Sequence, residues 1–156
     1  MDATWTISFT VPGAPVPQPR PRISTWGGRG RAYVEARHPI HAYRQAVELA
    51  ATVAARGAGH KPADGPLAVE VVAVFGRPPS HLTKGGTPRS TAPDYPPRCD
   101  WDNLGKGVCD AITTSGAVWL DDDQVVDGRV RKRYGSGPDD PPRTVVTVRP
   151  CHAAES

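Results

Sequence analysis

The residues most able to do chemistry form two acidic clusters in the second half of the chain. Asp100 and Asp102 are two residues apart, so both carboxylates would point to one side of an extended chain, and Asp121, Asp122 and Asp123 follow further on. Converging carboxylates repel one another unless a cation binds or a pKa rises. Their hard oxygen atoms suit Mg²⁺ or Mn²⁺ better than zinc or copper. The two clusters are therefore the donor set that a divalent-metal site would use.

A helix predicted from about residue 101 to 114 would begin at the first cluster, with Gly116 as its C-terminal cap. Its inward face is expected to consist of Trp101, Leu104, Val108 and Ile112. The opposite face would stack Asp102, Lys106 and Asp110 one above another. In phosphodiester cleavage, Lys106 would add a positive charge where the phosphate becomes more negative.

A structural explanation of the same residues stays open. Asp102 and Lys106 could form a surface ion pair, worth about 0.3–0.5 kcal/mol. The three consecutive aspartates could be a solvated turn. Because short acidic motifs recur by chance, the residues alone favour this explanation over a metal site.

The charges of the chain are unevenly distributed. Residues 94–140 hold six Lys/Arg and ten Asp/Glu, a net charge of −4, whereas the rest of the chain carries +7. An acidic patch in a basic chain fits a metal site that faces a polyanion. It fits equally a soluble protein with one acidic loop.

The 156 residues fit one domain, expected over 1–150 with a short tail over 151–156. No apolar run is long enough to cross a membrane, and no leader peptide is recognisable. Three cysteines without a CxxC pair indicate free thiols in the cytoplasm and argue against zinc. We expect no organic cofactor.

The remaining patterns predict an α+β domain in the order β-α-β-α-β-β, a mixed sheet with two helices packed on one face and a right-handed first crossover. Strands are predicted at about 5–11, 67–75, 125–134 and 143–149. A helix of about 17 residues follows Pro39, with an apolar stripe at Ile40, Tyr43, Val47, Ala50 and Ala54. Residues 12–31, with four arginines, and the proline-rich 77–99 are predicted to be loops.

The acidic segment resembles the catalytic block of the RusA family of Holliday junction resolvases. The resemblance covers about 30 residues: Asp100-Trp-Asp-Asn-Leu-x-Lys106, Asp110-Ala-Ile, Gly116 and Trp119-Leu-Asp-Asp-x-Gln-Val-Val-Asp127. Pro12-Gly-Ala-Pro15 followed by Arg20-Pro-Arg22 is similar to the proline-rich, basic opening of the family. The chain departs from the family at Asp123, where a small residue is expected, and before Asp100, where only Arg98 is basic.

The resemblance implies a role in the active site for each residue of the motif. The metal-binding and catalytic acids would be Asp100, Asp102 and Asp122, with Asp121 and Asp123 as further candidate ligands. Lys106 would be the essential lysine. The supporting residues would be Asn103, Gln124 and Asp127.

The resemblance also implies a homodimer that resolves four-way DNA junctions by paired symmetric nicks in recombination and repair. Mg²⁺ would be the cofactor, and Mn²⁺ would substitute for it. Two alternatives remain. The chain could be a metal-dependent nuclease with a relaxed preference for branched, flap or single-stranded DNA, or a junction-binding protein without catalysis.

Basic residues outside the acidic segment are candidates for DNA contact. The strand at 125–134 would put Asp127, Arg129, Arg131 and Arg133 on one face, which suits phosphates, although edge strands also carry charges that block aggregation. The predicted DNA-binding residues are Arg20, Arg22, Arg98, Arg131, Lys132 and Arg133. The segment from Trp26 to Arg31 could wrap a phosphate, stack on an exposed base or be a mobile loop.

Overall fold

The protein is described by a computed structural model that covers residues 4–28 and 30–152. Its strands are β1 (Ile7–Pro12), β2 (Arg22–Ser24), β3 (Arg31–Tyr33), β4 (Leu67–Phe75), β5 (Val125–Tyr134) and β6 (Arg143–Pro150). Its helices are α1 (Ile40–Gly57) and α2 (Trp101–Ser115). The predicted α+β class is confirmed, and the predicted order holds once the small β2–β3 hairpin is added. Arg29 and residues 153–156 of the predicted tail lie outside the described residues.

The main sheet has four strands in the order β1-β6-β4-β5. Strand β6 is antiparallel to both β1 and β4, whereas β4 and β5 are parallel. Parallel neighbours need a crossover connection, and α2 lies in the connection from β4 to β5. This topology puts α2 over β4 and β5, with the acidic segments at its two ends.

The hydrophobic core lies between one face of this sheet and the two helices. Alternate residues of each strand face the core, as shown by Val71, which is paired with Val146 on one side and Val130 on the other. In β5 the intervening positions, including Arg129 and Arg131, therefore point to the opposite face, as predicted.

Helix α1 extends to Gly57, and its buried positions differ slightly from those predicted. Ile40, Tyr43 and Val47 are buried as expected, but Ala51 and Ala55 are buried in place of Ala50 and Ala54. A spacing of four residues from Val47 onwards keeps the same side toward the sheet, because a helix turns once in about 3.6 residues.

Helix α2 approaches the sheet closely and ends as predicted. A Cβ atom at Gly105 would lie 2.8 Å from Cγ2 of Val130, so a glycine is needed where the helix crosses β5. Gly116 caps the helix in the left-handed conformation, with φ of 62°. The prediction that Trp101 faces inward is wrong, because its side chain is 59% exposed. Side chains tilt toward the N-terminus of a helix, so a first-turn residue points past the helix end.

The prediction that residues 12–31 are an irregular loop is partly wrong. Strands β2 and β3 pair with each other as an antiparallel hairpin, joined by a short turn at Trp26–Gly28, and form a sheet of their own. Within the described residues, no helix is long and apolar enough to span a membrane. Cys99, Cys109 and Cys151 are free thiols.

Candidate active site

The first acidic cluster lies at the N-terminus of α2. Asp100 is the residue before the helix, in extended conformation, and its carboxylate accepts a hydrogen bond from Asn103 Nδ2 at 3.4 Å. Asp102 lies in the first turn and is exposed. The helix therefore begins between the two acids, as the predicted start at residue 101 required, and only Asp100 is in extended chain. The N-terminus of a helix attracts negative charge, which makes it a favourable place for carboxylate side chains.

Lys106 follows Asp102 by one helical turn and is exposed. Among the described residues, no carboxylate lies within 4.0 Å of its ammonium group, so it forms no ion pair with Asp102 or Asp110. The surface ion pair that the spacing allowed is not formed. The charge of Lys106 is therefore available to a bound anion.

The second acidic cluster is a short turn that Gln124 holds in place. Its side-chain Oε1 accepts hydrogen bonds from the backbone N–H groups of Leu120 and Asp121, at 2.9 and 2.8 Å. Its Nε2 donates to the carbonyl oxygens of Ala63 and Gly65, at 2.9 and 3.0 Å. One side chain thus ties the aspartate turn to the segment before β4.

Two further hydrogen bonds stabilise the aspartate turn, one inside the turn and one between Trp119 and α2. The Asp121 carboxylate accepts the N–H of Asp123 at 3.1 Å and caps the turn. Trp119, fully buried beneath it, donates its indole N–H to the hydroxyl of Thr113 at 2.8 Å. These contacts dock the turn against the C-terminal half of α2.

The directions of the pKa shifts indicate which acids interact electrostatically. Burial raises the pKa of Asp122, and a hydrogen bond with Asp121 and repulsion from Asp110, Asp121 and Asp123 raise it further. The pKa of Asp121 is lowered, chiefly by the hydrogen bond from the Asp123 N–H. Burial, followed by the negative charges of Asp122 and Asp110, raises the pKa of the Cys109 thiol to about 12. Asp122 therefore lies near enough to Asp110 on α2 for their charges to interact.

Asp110 belongs to this site, although the sequence prediction did not include it among the ligands. Gln18, from the loop after β1, donates its side-chain N–H to Asp110 Oδ2 at 3.2 Å and its backbone N–H to the carbonyl of Asn103 at 3.1 Å. The spacing of Asp110 from Lys106 was a usable signal. Gln18 carried none, because it comes from a distant loop.

The spacing of the carboxylates along α2 limits how many of them one metal ion could bind. Asp102 and Asp110 are eight residues apart, about 12 Å along the helix axis. Among the described residues, no three His, Cys, Asp or Glu side chains form a group that could hold a metal ion. Mg²⁺ typically binds one or two carboxylates and keeps waters that substrate phosphates replace. Asp102, Lys106 and Asp110 form an acidic stripe along α2, and the carboxylates at its two ends have the donor chemistry that such an ion needs. The ligand set Asp100, Asp102 and Asp122 stays a prediction.

The predicted DNA-binding residues divide into two groups. Four are exposed: Arg20, Arg22, Arg98 and Arg131; of these, Arg22 pairs with Glu35 at 2.6 Å, an ion pair between two exposed side chains. The other two are half-buried and bind groups within the protein. Lys132 Nζ donates to the carbonyls of Pro96, at 2.7 Å, and Cys99, which positions the chain just before Asp100. Arg133 is paired with Asp140 at 2.6 Å.

Asp127 lies apart from the other motif residues. Strand alternation puts it on the sheet face away from α2, where its carboxylate is 3.6 Å from Nη2 of Arg129.

Comparisons with known proteins identify the family to which this fold and this site belong. The family model "Endodeoxyribonuclease RusA" matches residues 12–149, which include both acidic clusters, α2 and, except for Pro150, all strands of the main sheet after β1. The chain belongs to the RusA family. It is also 33% identical over 161 residues to the uncharacterized protein YqaN of Bacillus subtilis (strain 168), a match that covers 94% of this chain and 98% of YqaN.

Membership of the RusA family makes the protein an endodeoxyribonuclease. RusA enzymes act on branched DNA junctions and generally depend on a divalent metal. The acidic stripe of α2 and the docked aspartate turn are the parts of this chain that suit such chemistry.

Proposed function

We propose that this RusA-family enzyme is a Mg²⁺-dependent resolvase that cuts four-way DNA junctions by paired symmetric nicks in recombination and repair. The observation that carries the proposal is the surface of α2, where exposed Asp102 and unpaired Lys106 are followed by Asp110, whose charge acts on Asp122. Acids and a free cation alternate there along one helix face. Such a surface can hold a hydrated cation and a phosphate together.

The proposed roles of the acids rest on the match of the motif to the RusA family. Asp100, Asp102 and Asp122 are the proposed ligands, with Asp121 and Asp123 as further candidates, and Mn²⁺ is expected to substitute for Mg²⁺. When bound, the ion would supply Lewis-acid charge and an activated water for phosphodiester hydrolysis. No covalent enzyme intermediate is needed, so the nicked ends stay ligatable.

Lys106 is the proposed transition-state cation. Its ammonium group carries no internal ion pair, so its positive charge can be directed at the phosphate oxygens as they gain negative charge. Asn103, Gln124 and Lys132 would act by positioning: they hold Asp100, the aspartate turn and the Cys99 carbonyl, respectively.

A homodimer is the proposed assembly. Resolution takes two symmetric cuts, and a two-fold dimer presents two equivalent sites to a junction of similar symmetry. The exposed arginines Arg20, Arg22, Arg98 and Arg131 are the proposed phosphate contacts.

The deciding experiment is incubation of the purified protein with an end-labelled mobile four-way junction, with and without Mg²⁺, beside a linear duplex of the same sequence. Paired nicks in opposing strands that require the metal are expected. Equal cutting of flaps, single strands and junctions would favour a relaxed nuclease, and binding without cutting would indicate a non-catalytic junction protein.

Lys106→Ala tests the catalytic assignment. A loss of about a hundredfold in the single-turnover rate is expected, with junction affinity and unfolding temperature largely retained. Lys84→Ala, which removes a positive charge from another exposed position, is the control and should cut like the unaltered enzyme. A Lys106→Ala enzyme that cuts within a fewfold of that rate would remove Lys106 from the mechanism.

A further inference from the structure

The β2–β3 hairpin has no apolar interior of its own and lies outside the main sheet. Its strands pair only with each other, and its large apolar side chains are open to solvent: Ile23 is 75% exposed, Trp26 93% and Tyr33 44%. A two-stranded hairpin in water is marginally stable at best. Packing within the described residues therefore does not explain why these side chains are apolar.

Trp26 is held at the tip by an unusual turn. It begins the turn Trp26–Gly28, and the two glycines that follow have positive φ values of 81° and 75°. Such angles are costly for residues with a Cβ atom. A turn that begins with an almost fully exposed tryptophan presents a flat aromatic surface to a partner.

The charge of the hairpin identifies the kind of partner. Residues 20–35 include Arg20, Arg22, Arg29 and Arg31 and one acid, Glu35, which pairs with Arg22 at 2.6 Å, so the segment keeps a net charge of +3. Cross-strand pairing places Arg22 beside Tyr33 and Ser24 beside Arg31, so these side chains share one face. An isologous contact between two copies would bring these arginines together, and they would repel one another. Nucleic acid offers both phosphates for the arginines and flat bases for the aromatic rings.

The hairpin is tethered to the candidate active site. Gln18, which binds α2 through Asn103 and Asp110, precedes β2 by only four residues. Eight residues separate Gln18 from Trp26, so fully extended chain would span at most about 28 Å. The hairpin can therefore contact DNA whose cleaved phosphate lies on α2.

We propose that the hairpin is a recognition arm that stacks Trp26 on an unpaired or unstacked base at the branch point, while Arg22 and Arg31 contact neighbouring phosphates. This inference deepens the proposed function, on which it rests for the identity of the branched substrate. Duplex DNA keeps its base faces stacked, so Trp26 would contribute to junction binding and not to duplex binding.

The test compares dissociation constants by fluorescence anisotropy in EDTA, using a four-way junction, a linear duplex with the same arm sequence, and oligodeoxythymidine. Trp26→Ala should weaken binding of the junction and of the single strand by about tenfold or more. Duplex binding should change by less than about twofold, because phosphate contacts remain. Trp26→Phe should restore most of the affinity. Leu49→Ala, at a position 66% exposed on α1, is the matched control and should change nothing.

Three results would overturn the proposal: unchanged junction binding by Trp26→Ala, an equal loss on duplex and junction, or a change in sedimenting mass, which would make the hairpin a contact between copies. Cleavage by the unaltered enzyme is the separate readout of the proposed function. If it cuts junctions with Mg²⁺ while Trp26→Ala binds normally, only the hairpin inference fails. If it cuts none while Trp26→Ala selectively loses single-strand binding, only the proposed function fails.

Discussion

Gln124 is expected to be the most sensitive residue of the aspartate turn, although it bears no charge. Its amide makes four hydrogen bonds of 2.8–3.0 Å: two to backbone N–H groups of the turn and two to carbonyls of the segment before β4. A hydrogen bond contributes about 0.5–1.5 kcal/mol net, and groups that water can reach recover part of it. We therefore expect Gln124→Ala to lower the free energy of unfolding by about 3 kcal/mol.

For a chain of this size, that loss corresponds to a fall in unfolding temperature of roughly 6–12 °C. Activity should fall further than stability explains, because the released turn no longer places Asp122 near Asp110. A displacement of about 1 Å at a reacting centre can cost about a hundredfold in rate. Urea unfolding and single-turnover junction cleavage, measured well below the unfolding temperature, separate the two effects.

Two further variants sharpen this test. Gln45→Ala removes an amide from an exposed position of α1 and should leave stability nearly unchanged. Gln124→Glu keeps the acceptor for the turn but directs a carboxylate oxygen at the carbonyls of Ala63 and Gly65. Repulsion there raises the folded-state pKa of the new carboxyl. The variant should therefore be unstable above the unfolded pKa and regain stability as the pH falls. Unfolding of Gln124→Ala within about 0.5 kcal/mol of the unaltered protein would refute the reasoning.

Three other predictions concern the packing of α2, the ion pairs of Asp140 and the contacts with DNA. Gly105→Ala should destabilise the protein by about 1–3 kcal/mol, because its Cβ atom would lie 2.8 Å from Val130, and Val130→Ala should relieve part of that loss in urea unfolding. Asp140 hydrogen-bonds chiefly to Arg133, which holds its pKa well below the usual range, so its contribution is present above the unfolded pKa and lost as pH falls through the folded one. Asp140→Asn should thus be less stable than the unaltered protein at pH 7, with a difference that narrows in acid. Arg131→Gln should reduce the salt slope of DNA binding by about one, whereas Arg133→Gln should mainly reduce stability; equal effects of both on the slope would contradict this division.

Local patterns determined most of the fold and the outline of the site. The period of two in β1 and the helical spacing of Leu104, Val108 and Ile112 are properties of neighbouring residues, and both elements formed as predicted. The cap at Gly116 was equally predictable from local sequence, because it depends only on the left-handed backbone conformation that glycine adopts easily. The spacing of the acidic motif was enough to indicate the RusA family, because motif spacing is itself sequence information.

Tertiary structure alone decided how the acids are held and which of them meet. Gln124 bonds to carbonyls 61 and 59 residues away, and Lys132 bonds to carbonyls 36 and 33 residues away. Such contacts depend on where the chain returns to itself, which periodicity does not encode. The same holds for Asp122, whose charge interacts with that of Asp110, twelve residues earlier in the chain.

The sequence also could not predict which side chains at the ends of helices and strands are exposed to solvent. Trp101 has the spacing of a core residue, but its position in the first turn of α2 points it past the sheet. Trp26 lies in a segment rich in glycine and arginine, and only pairing of β2 with β3 shows that it stands at the tip of a hairpin. Spacing predicts which face of an element a residue shares, but only the packed structure decides whether that face has anything to cover it.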